Sequence, residues 1–289
     1  MRVVVLMGGR SSEREISLRT GRAVADALRR MGHEVVEMDL TPDLACRLLE
    51  VKPDRVFIAL HGPYGEDGRV QGLLDVLGIP YTGSGVLGSA LAMDKEVTKR
   101  LLRSEGIATP EWVCVRRGEE VPPWEAYPAV VKPADQGSSV GLRLVHSRGD
   151  LEKAVKELFP ITEKVLVECF IEGRDMTVGI LGETALPVIE VKPRRGLYDY
   201  RSKYTSGETE YLFPEEEELT AKLQEIALRV HRLLELRDMS RIDFRVSPSG
   251  EAFVLEVNTV PGMTELSLFP MACRRAGIDF EEMLRILLR

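Results

Sequence analysis

Alternating polar and apolar positions predict a β-hairpin over residues 241–262, RIDFRVSPSGEAFVLEVNTVPG. Two runs rich in Val, Ile, Phe and Leu flank a turn of Ser, Pro and Gly at residues 247–250. Because side chains alternate between the two faces of a strand, each run has one apolar face. The positions assigned to the apolar faces are Ile242, Phe244, Val246, Phe253, Leu255 and Val257. The opposite faces then bring together four polar side chains, those of Arg241, Asp243, Glu256 and Asn258.

The first 40 residues show a strand pattern, a helix pattern and a second strand pattern. Residues 2–7 (RVVVLM) are continuously apolar, which is typical of a parallel strand covered on both sides. The order predicts a βαβ unit. Its loop, residues 8–12, lies at the carboxyl end of the first strand, where open α/β sheets bind ligands. Residues 55–60 predict another strand, which runs into the glycine-dense loop HGPYGEDG at 61–68.

Further along the chain, the pattern predicts a mixture of helices, strands and one irregular segment. Asp94 is a suitable N-cap, so Lys95 is predicted to open a helix. Residues 127–132 (YPAVVK) predict a strand that runs into a Gly- and Ser-rich loop at 135–141. A strand, an irregular functional loop and an amphipathic helix are predicted at residues 164–170, 193–214 and 215–237.

The composition is that of a globular protein and excludes several classes of partner. With 289 residues, 44% hydrophobic and 29% charged, the chain can hold two or three domains with separate cores. A net charge of −7 argues against a nucleic-acid partner. Four dispersed cysteines without a CxxC pair indicate a reducing compartment and neither a disulfide framework nor a zinc site. Since the first apolar run is too short for a signal peptide or membrane span, we expect a cytoplasmic protein without a membrane partner.

The polar face of the predicted hairpin is a candidate magnesium site. Mg²⁺ prefers hard oxygen ligands, typically one or two carboxylates together with substrate phosphates, and Asp243, Glu256 and Asn258 offer such oxygens. The alternative is a solvated, salt-bridged sheet face, which the spacing alone favours. What supports a ligand site is the sequence NTVPGM at 258–263, where a Pro-Gly turn lets a backbone N–H approach a ligand closely.

Other candidate residues each have a structural alternative. Glu13 either grips a substrate ammonium or offsets the dipole of the first helix. His61 taken alone is more often a structural histidine than a catalyst. Lys95 beside free helix N–H groups forms an anion site, or is simply solvated. The loop at 135–141 folds over phosphates or is a flexible turn. The GxGxxG match at 83–88 is discounted as a dinucleotide fingerprint because it lies outside the first βα unit.

Several motifs occur in one order along nearly the whole chain: GGRSSEREIS, HGPYGEDG, MDK, VKPADQGSSVG and RID…LEVNTVPGM. In that order they resemble the ATP-grasp superfamily and, within it, the D-alanine–D-alanine ligase family. The resemblance implies an α/β (α+β) fold, a three-domain ATP-grasp architecture with an N-terminal Rossmann-like domain. The expected domains are an N-terminal substrate domain, a central ATP-grasp domain and a C-terminal ATP-grasp domain with the metal site and a mobile loop, at residues 1–86, 87–178 and 179–289.

The resemblance also implies roles for individual residues. Catalytic roles fall to Glu13, Ser138, Lys203, Tyr204, Arg241 and Gly262. Substrate contacts fall to Glu13, His61 and Ser267. ATP contacts fall to Lys95, Lys132, Ser138, Ser139, Glu168, Cys169, Ile171, Asp175 and Lys203, and metal ligation to Asp243, Glu256 and Asn258. Glu13, Ser138 and Tyr204 are expected to form a hydrogen-bonded set. Asp175 departs from the Glu usual in the family, so its carboxylate is one methylene shorter.

The implied reaction joins two D-alanine molecules at the expense of ATP, through an acyl phosphate, for peptidoglycan precursor synthesis. ATP and two Mg²⁺ ions are the expected cofactors, Mn²⁺ being able to substitute, and a homodimer is expected. Three alternatives remain: an ATP-grasp enzyme with other carboxylate and amine partners, a D-alanine–D-lactate ligase, and a non-catalytic nucleotide-binding regulator. Tyr204 argues against the second, and the presence of the expected polar residues argues against the third. A nicotinamide-dependent dehydrogenase is a distant fourth.

Overall fold

The chain opens with a parallel sheet. The computed structural model describes residues 1–137, 140–193, 209–264 and 267–289. Strands pair in the order β2-β1-β3, and their bounds are β1 (Arg2–Met7), β2 (Glu34–Asp39) and β3 (Arg55–Ile58). The helices that follow these strands are α1 (Arg14–Arg30), α2 (Leu44–Val51) and α3 (Arg69–Leu77). The predicted βαβ unit is confirmed, and the central position of β1 explains its uninterrupted apolar run.

An antiparallel sheet occupies the middle of the chain. Two helices lead into it, α4 (Val86–Met93) and α5 (Lys95–Ser104). Its strands lie in the order β4-β7-β5-β6, with the bounds β4 (Trp112–Arg116), β5 (Ala129–Pro133), β6 (Arg143–Val145) and β7 (Lys164–Cys169). Helix α6 (Arg148–Leu158) packs against β5 and β6 and, with the sheet, buries a small core of its own.

The last sheet carries the predicted hairpin. Its strands follow the order β11-β10-β8-β12-β13, with β9 paired to β8. Their bounds are β8 (Arg174–Leu181), β9 (Thr184–Ala185), β10 (Ile189–Pro193), β11 (Thr209–Leu212), β12 (Met239–Val246) and β13 (Ala252–Asn258). Helix α7 (Glu217–Leu233) packs on this sheet. The C-terminal helices are α8 (Leu268–Arg275) and α9 (Phe280–Leu287).

The largest hydrophobic core joins the two ends of the chain. Helix α9 contacts α1, and its buried residues Met283, Leu284 and Leu287 belong to the same apolar cluster as the buried residues of β1 and β3. Residues from α8 and from strands β8, β10 and β12 of the last sheet complete this cluster. The N-terminal sheet therefore shares its core with residues that lie more than 250 positions later in the sequence.

The hairpin pairs as the sequence predicts, but one of its apolar faces is different. Arg241 pairs with Asn258 and Asp243 with Glu256, after which a β-bulge brings Phe244 opposite Val254. The bulge adds one residue to β13 and reverses which side chains face the core. The core therefore receives Ala252, Val254 and Val257, whereas Phe253 and Leu255 are only half-buried. The prediction that Phe253 and Leu255 lie on the apolar face is wrong.

Because of the bulge, we expect truncation of two neighbouring side chains, Val254 and Leu255, to have different effects on stability. Val254→Ala removes buried methyl groups and is expected to lower the free energy of unfolding by about 2 kcal/mol. Leu255→Ala removes more carbon but from a half-buried position, so we expect a loss below about 1 kcal/mol. Urea unfolding of both variants measures the difference. A larger loss for Leu255→Ala would contradict the bulged register.

Two other sequence predictions need correction at their ends. Residues 209–212, predicted within an irregular segment, form β11 and pair with β10. The helix predicted to reach residue 237 ends at Leu233, because Glu235 and Asp238 adopt positive φ angles of 52° and 60°. The periodic apolar pattern continues past the helix since Leu236 is buried by the fold even without helical geometry.

Candidate active site

Three of the four polar residues of the hairpin, Arg241, Asp243 and Asn258, are joined by hydrogen bonds. Arg241 donates from Nε and Nη2 to the two carboxylate oxygens of Asp243, at 2.8 and 2.7 Å. Thr177 on β8 donates from Oγ1 to Asp243 Oδ1 at 2.6 Å, and Asn258 donates from Nδ2 to Asp243 Oδ2 at 3.2 Å. The Asp243 carboxylate is thus oriented from three directions. The sequence pattern missed Thr177, which becomes visible only once β8 is known to neighbour β12.

Lys95 links the hairpin to the Gly- and Ser-rich loop. It opens α5, and Asp94 caps this helix by accepting from the backbone N–H groups of Glu96 and Val97, as predicted. The Nζ atom of Lys95 lies 3.5 Å from Glu256 Oε2 and donates to the carbonyl oxygen of Gln136 at 2.8 Å. A cation at a helix N-terminus between a carboxylate and this loop provides an attractive environment for phosphate oxygens.

Three charged groups form a buried chain at the end of β7. The two carboxylate oxygens of Glu168 lie 2.9 Å from Lys132 Nζ and 3.1 Å from Lys99 Nζ. Burial alone would raise the pKa of Glu168, but the two ammonium groups outweigh it and lower that pKa. Burial lowers the pKa of Lys99 to about 8, against the opposing pull of Glu168. Sequence reasoning missed Lys99, although it lies four residues after Lys95 and so on the same helix face.

A second ion pair lies beside the linker that follows β7. Arg245 Nη1 lies 2.8 Å from Asp175 Oδ2, and its Nε donates to the carbonyl oxygen of Ile171 at 2.9 Å. The guanidinium carbon lies 5.6 Å from the centroid of the Phe170 ring. Arg245 therefore connects β12 to the linker and to Asp175, one of the residues expected to contact ATP.

These groups surround one cleft between the central and the last sheet. Its cavity volume is about 130 Å³, and its polar lining includes Lys95, Lys132, Glu168, Asp175, Asp243 and Glu256. A smaller cavity beside it, of about 20 Å³, is lined by Lys95, Glu256 and Asn258. The described residues predicted to bind ATP and metal are thus brought together in space, with Cys169 and Ile171 on the same wall. Leu255, turned out of the core by the bulge, contributes to this wall too.

The oxygen donors on the hairpin suit a hard cation. Asp243 and Glu256 are directly paired across the strands, and Asn258 bonds to Asp243. Across residues 1–137, 140–193, 209–264 and 267–289, no group of three or more His, Cys, Asp and Glu side chains is arranged to hold a metal ion. Two carboxylates and an amide leave room for phosphate or water oxygens in an octahedral Mg²⁺ shell, so the donor set fits that ion.

Glu13 lies where the first loop meets the Gly- and Ser-rich loop. It is 6% exposed, and a Cβ placed on either Gly62 or Gly137 would lie 2.7 Å from its Oε2. Gly62 also has a φ of +73°, a conformation that glycine adopts without strain. Both glycines are therefore needed for the chain to pass this close to the carboxylate. Glu13 is therefore a buried acid next to the Gly- and Ser-rich loop, and its role in substrate binding stays a prediction.

His61 is buried and neutral, and it directly precedes Gly62, the glycine next to Glu13. Its Nε2 lies 3.1 Å from Thr20 Oγ1. Burial lowers the pKa of His61 to about 4, and the nearby Arg241 guanidinium adds to the effect. His61 is thus within electrostatic reach of the hairpin, although the side chain that its ring contacts is a threonine of α1.

The lowered pKa of His61 predicts a loss of stability in acid. The unfolded chain binds a proton at its ordinary pKa of 6.5, whereas the folded chain resists protonation down to about 4. Stability is therefore lost as the pH falls through this window, by on the order of 3 kcal/mol. His61→Gln should show a shallower loss, measured by urea unfolding at pH 7 and pH 4.5. Parallel losses in the two proteins would contradict the burial of a neutral imidazole.

The turn after the hairpin brings Gly262 next to Ser267. A Cβ on Gly262 would lie 2.9 Å from Ser267 Oγ. Ser267 Oγ accepts from the backbone N–H of Thr264 at 3.0 Å and contacts Thr264 Oγ1 at 2.8 Å. The serine is thereby held at the start of α8, beside the backbone that is expected to receive an oxyanion. Ser138, Ser139, Lys203 and Tyr204 lie outside the described residues, so their roles stay predictions.

Two family models match the chain. The model described as D-ala D-ala ligase C-terminus matches residues 101–289, and the model described as D-ala D-ala ligase N-terminus matches residues 44–84. A D-alanine--D-alanine ligase of Aquifex aeolicus is 58% identical over 290 residues, covering 100% of both chains. The chain belongs to the D-alanine–D-alanine ligase family.

Another member of the D-alanine–D-alanine ligase family, from Syntrophotalea carbinolica, is 49% identical and covers 99% of this chain and 95% of its own. Among solved structures, the ligase from Bacillus anthracis complexed with ATP has a TM-score of 0.88 at 34% identity. That match covers 100% of this chain and 96% of the other. The ligase family therefore accounts for the ATP-grasp fold of the whole chain. Among the described helices, none is long and apolar enough to cross a membrane.

Proposed function

We propose that the chain converts ATP and two D-alanine molecules into ADP, phosphate and D-alanyl-D-alanine. The observation that carries the proposal is the shared cleft, in which the acids Asp243 and Glu256 face the cations Lys95 and Lys132. A carboxylate is a poor acyl donor, so it needs activation before an amine can attack it. Opposed acids and cations that line one cleft support activation by phosphoryl transfer.

ATP would occupy the cleft with its base near the linker and its phosphates near the hairpin. Glu168, Cys169, Ile171 and Asp175 line the cleft. The first three would face the base, and Asp175 would face the ribose. Lys95 and Lys132 would hold the phosphates, with Ser138, Ser139 and Lys203 expected to contribute from segments outside the described residues. The Bacillus anthracis ligase, which shares this fold, was solved in complex with ATP, and that complex supports the choice of nucleotide.

Asp243, Glu256 and Asn258 would hold two magnesium ions, for which manganese can substitute. When bound, the ions supply positive charge that neutralises the β- and γ-phosphates. The protein's part is to orient these side chains, and the hydrogen bonds from Arg241 and Thr177 orient Asp243. Such outer contacts orient ligands and tune their charge.

The first D-alanine would bind with its ammonium group at Glu13, next to His61. Its carboxylate would receive the γ-phosphoryl group and become an acyl phosphate. The amine of the second D-alanine, whose carboxylate Ser267 would hold, then attacks the acyl carbon and expels phosphate. Attack builds a tetrahedral oxyanion, for which Arg241 and the backbone N–H of Gly262 are the proposed donors. The expected Glu13–Ser138–Tyr204 set would exclude water, which otherwise hydrolyses the acyl phosphate.

Product analysis with ATP, Mg²⁺ and D-alanine tests this function. We expect D-alanyl-D-alanine and phosphate in equal amounts. Parallel reactions with other single D-amino acids, and with D-lactate added to D-alanine, separate the ligase from enzymes with other partners. Phosphate release that needs no amino acid, or ATP binding without turnover, would refute the proposal.

We also propose that the protein is a homodimer and is located in the cytoplasm. The family resemblance supports both, together with the domain boundaries after residues 86 and 178. Sedimentation velocity on the purified chain would measure the oligomeric state. A monomer at micromolar concentration would exclude the stable homodimer.

A further inference from the structure

Glu66 is a buried carboxylate that the reaction above does not use. It lies in the loop HGPYGEDG and is 9% exposed. Its Oε2 accepts from the backbone N–H of Gly62 at 2.7 Å, within the same loop. Its Oε1 accepts from the backbone N–H of Val260 at 3.3 Å, in the turn that follows β13. One side chain therefore joins two backbone segments that lie far apart in the sequence, at positions 62 and 260.

Each of the two segments leads directly to a proposed substrate contact. On one side, Gly62 abuts Glu13, and the carbonyl oxygen of the adjacent His61 accepts from Ser11 Oγ at 2.7 Å. Ser11 Oγ in turn accepts from the backbone N–H of Glu13 at 3.1 Å. On the other side, Val260 lies two residues before Gly262. The Glu66 carboxylate thus links the loop beside the proposed ammonium site to the turn that carries the proposed oxyanion donor.

The surroundings of Glu66 favour its protonated form. Burial raises the pKa of Glu66 to about 8, and the neighbouring Glu13 carboxylate contributes to the rise. The backbone donors at Gly62 and Val260 and the ammonium group of Lys95 act in the opposite direction. At neutral pH, Glu66 is accordingly close in charge and shape to a glutamine. Glu66→Gln is therefore a conservative variant, and Glu66→Ala removes the bridge.

We propose that Glu66 is a positioning residue that clasps the loop of the first D-alanine site to the turn carrying Gly262. This inference rests on the proposed ligase function. The residue acts through backbone, since Glu66 bonds to Gly62 and Val260 and neither bond involves a reacting atom. Among the described residues, Glu66 is not one that lines the cleft assigned to ATP, although it shares the small cavity beside it with Lys95 and Glu256. Its loss should therefore disturb D-alanine more than ATP.

Steady-state kinetics with each substrate varied in turn test the clasp. For Glu66→Ala we expect the KM for D-alanine to rise about tenfold or more and kcat to fall, because small misplacements of a reacting group have large effects. The KM for ATP should stay within about twofold of the wild type. For Glu66→Gln, we expect a KM for D-alanine between those of the wild type and Glu66→Ala, since the amide oxygen still accepts from one of the two N–H groups.

Asp67→Asn provides the matched control. Asp67 is the next residue, and its carboxylate accepts from the backbone N–H groups of Tyr64 and Arg69 inside the same loop. The Asp67→Asn variant should keep the wild-type kcat and the wild-type KM for both D-alanine and ATP. Equal effects of Glu66→Ala on D-alanine and ATP, or no effect on either, would overturn the clasp. If Glu66→Ala does not fold, a Glu66→Gln enzyme indistinguishable from Asp67→Asn would overturn it. A wild-type enzyme that makes no dipeptide refutes the ligase function instead.

Discussion

Arg241→Met is expected to lower dipeptide formation by about a hundred- to a thousandfold. The wild-type guanidinium makes two hydrogen bonds to Asp243, so it is fixed before substrate binds. A donor that is already oriented has no reorganisation cost when charge develops on the acyl oxygen. Methionine keeps much of the length of the side chain but removes the charge and all donors. Dipeptide and phosphate are both measured, because an acyl phosphate that cannot be attacked productively is lost to water.

Arg232→Met is the control for this substitution. Arg232 forms an exposed ion pair with Glu183 at 3.2 Å, a type of contact worth little to stability. The Arg232→Met variant should form dipeptide and release phosphate at wild-type rates. Thermal unfolding of both variants shows whether the fold is retained. Dipeptide formation by Arg241→Met within about threefold of the wild type would remove Arg241 from the proposed mechanism.

Glu256→Gln is expected to lower turnover by on the order of a thousandfold, since charge stabilisation at such a site is worth several kcal/mol. Glu256 faces Asp243 across the hairpin and lies 3.5 Å from Lys95 Nζ. The substitution keeps the shape of the side chain and removes one negative charge from the proposed ligand set. It also weakens the hold on Lys95. Calorimetric titration with ATP should show a loss of affinity in the presence of Mg²⁺ that is smaller in its absence.

Glu251→Gln is the matched change at the other end of the same hairpin. Glu251 is exposed and lies in the turn region, away from the cleft. This variant should retain wild-type turnover and nucleotide affinity. If Glu256→Gln behaved in the same way, the hairpin would be a solvated salt-bridged surface, which is the interpretation that residue spacing alone favours.

The sequence contained enough to predict that Asp243 and Glu256 lie side by side, because alternation places both on the polar faces of one hairpin. Their direct pairing depends on the bulge. The N-cap at Asp94 was predictable for a similar reason, as its hydrogen bonds reach only two and three residues along the chain. Both features depend on local geometry. The family motifs then extended these local predictions to the fold of the whole chain.

Some features that escaped prediction are local, such as the bulge, and others depend on contacts between distant segments. The bulge at Leu255 changes which side chains meet the core without leaving a mark in the alternation. Lys99 and Glu66 are charged residues in ordinary surface patterns, and only the fold shows that each is buried against a partner. Thr177 orients Asp243 because these two residues, 66 positions apart, lie on neighbouring strands.

The core shared by α9 and the N-terminal sheet has a consequence for folding during synthesis. The central sheet and α6 bury a cluster whose members all lie between Val115 and Val167, so this unit can become compact while the ribosome is still translating. The N-terminal sheet emerges earlier but must wait for Met283, Leu284 and Leu287 before its own apolar surface is covered. We therefore expect the order of consolidation to differ from the order of synthesis, with the first segment made among the last to become protease-resistant.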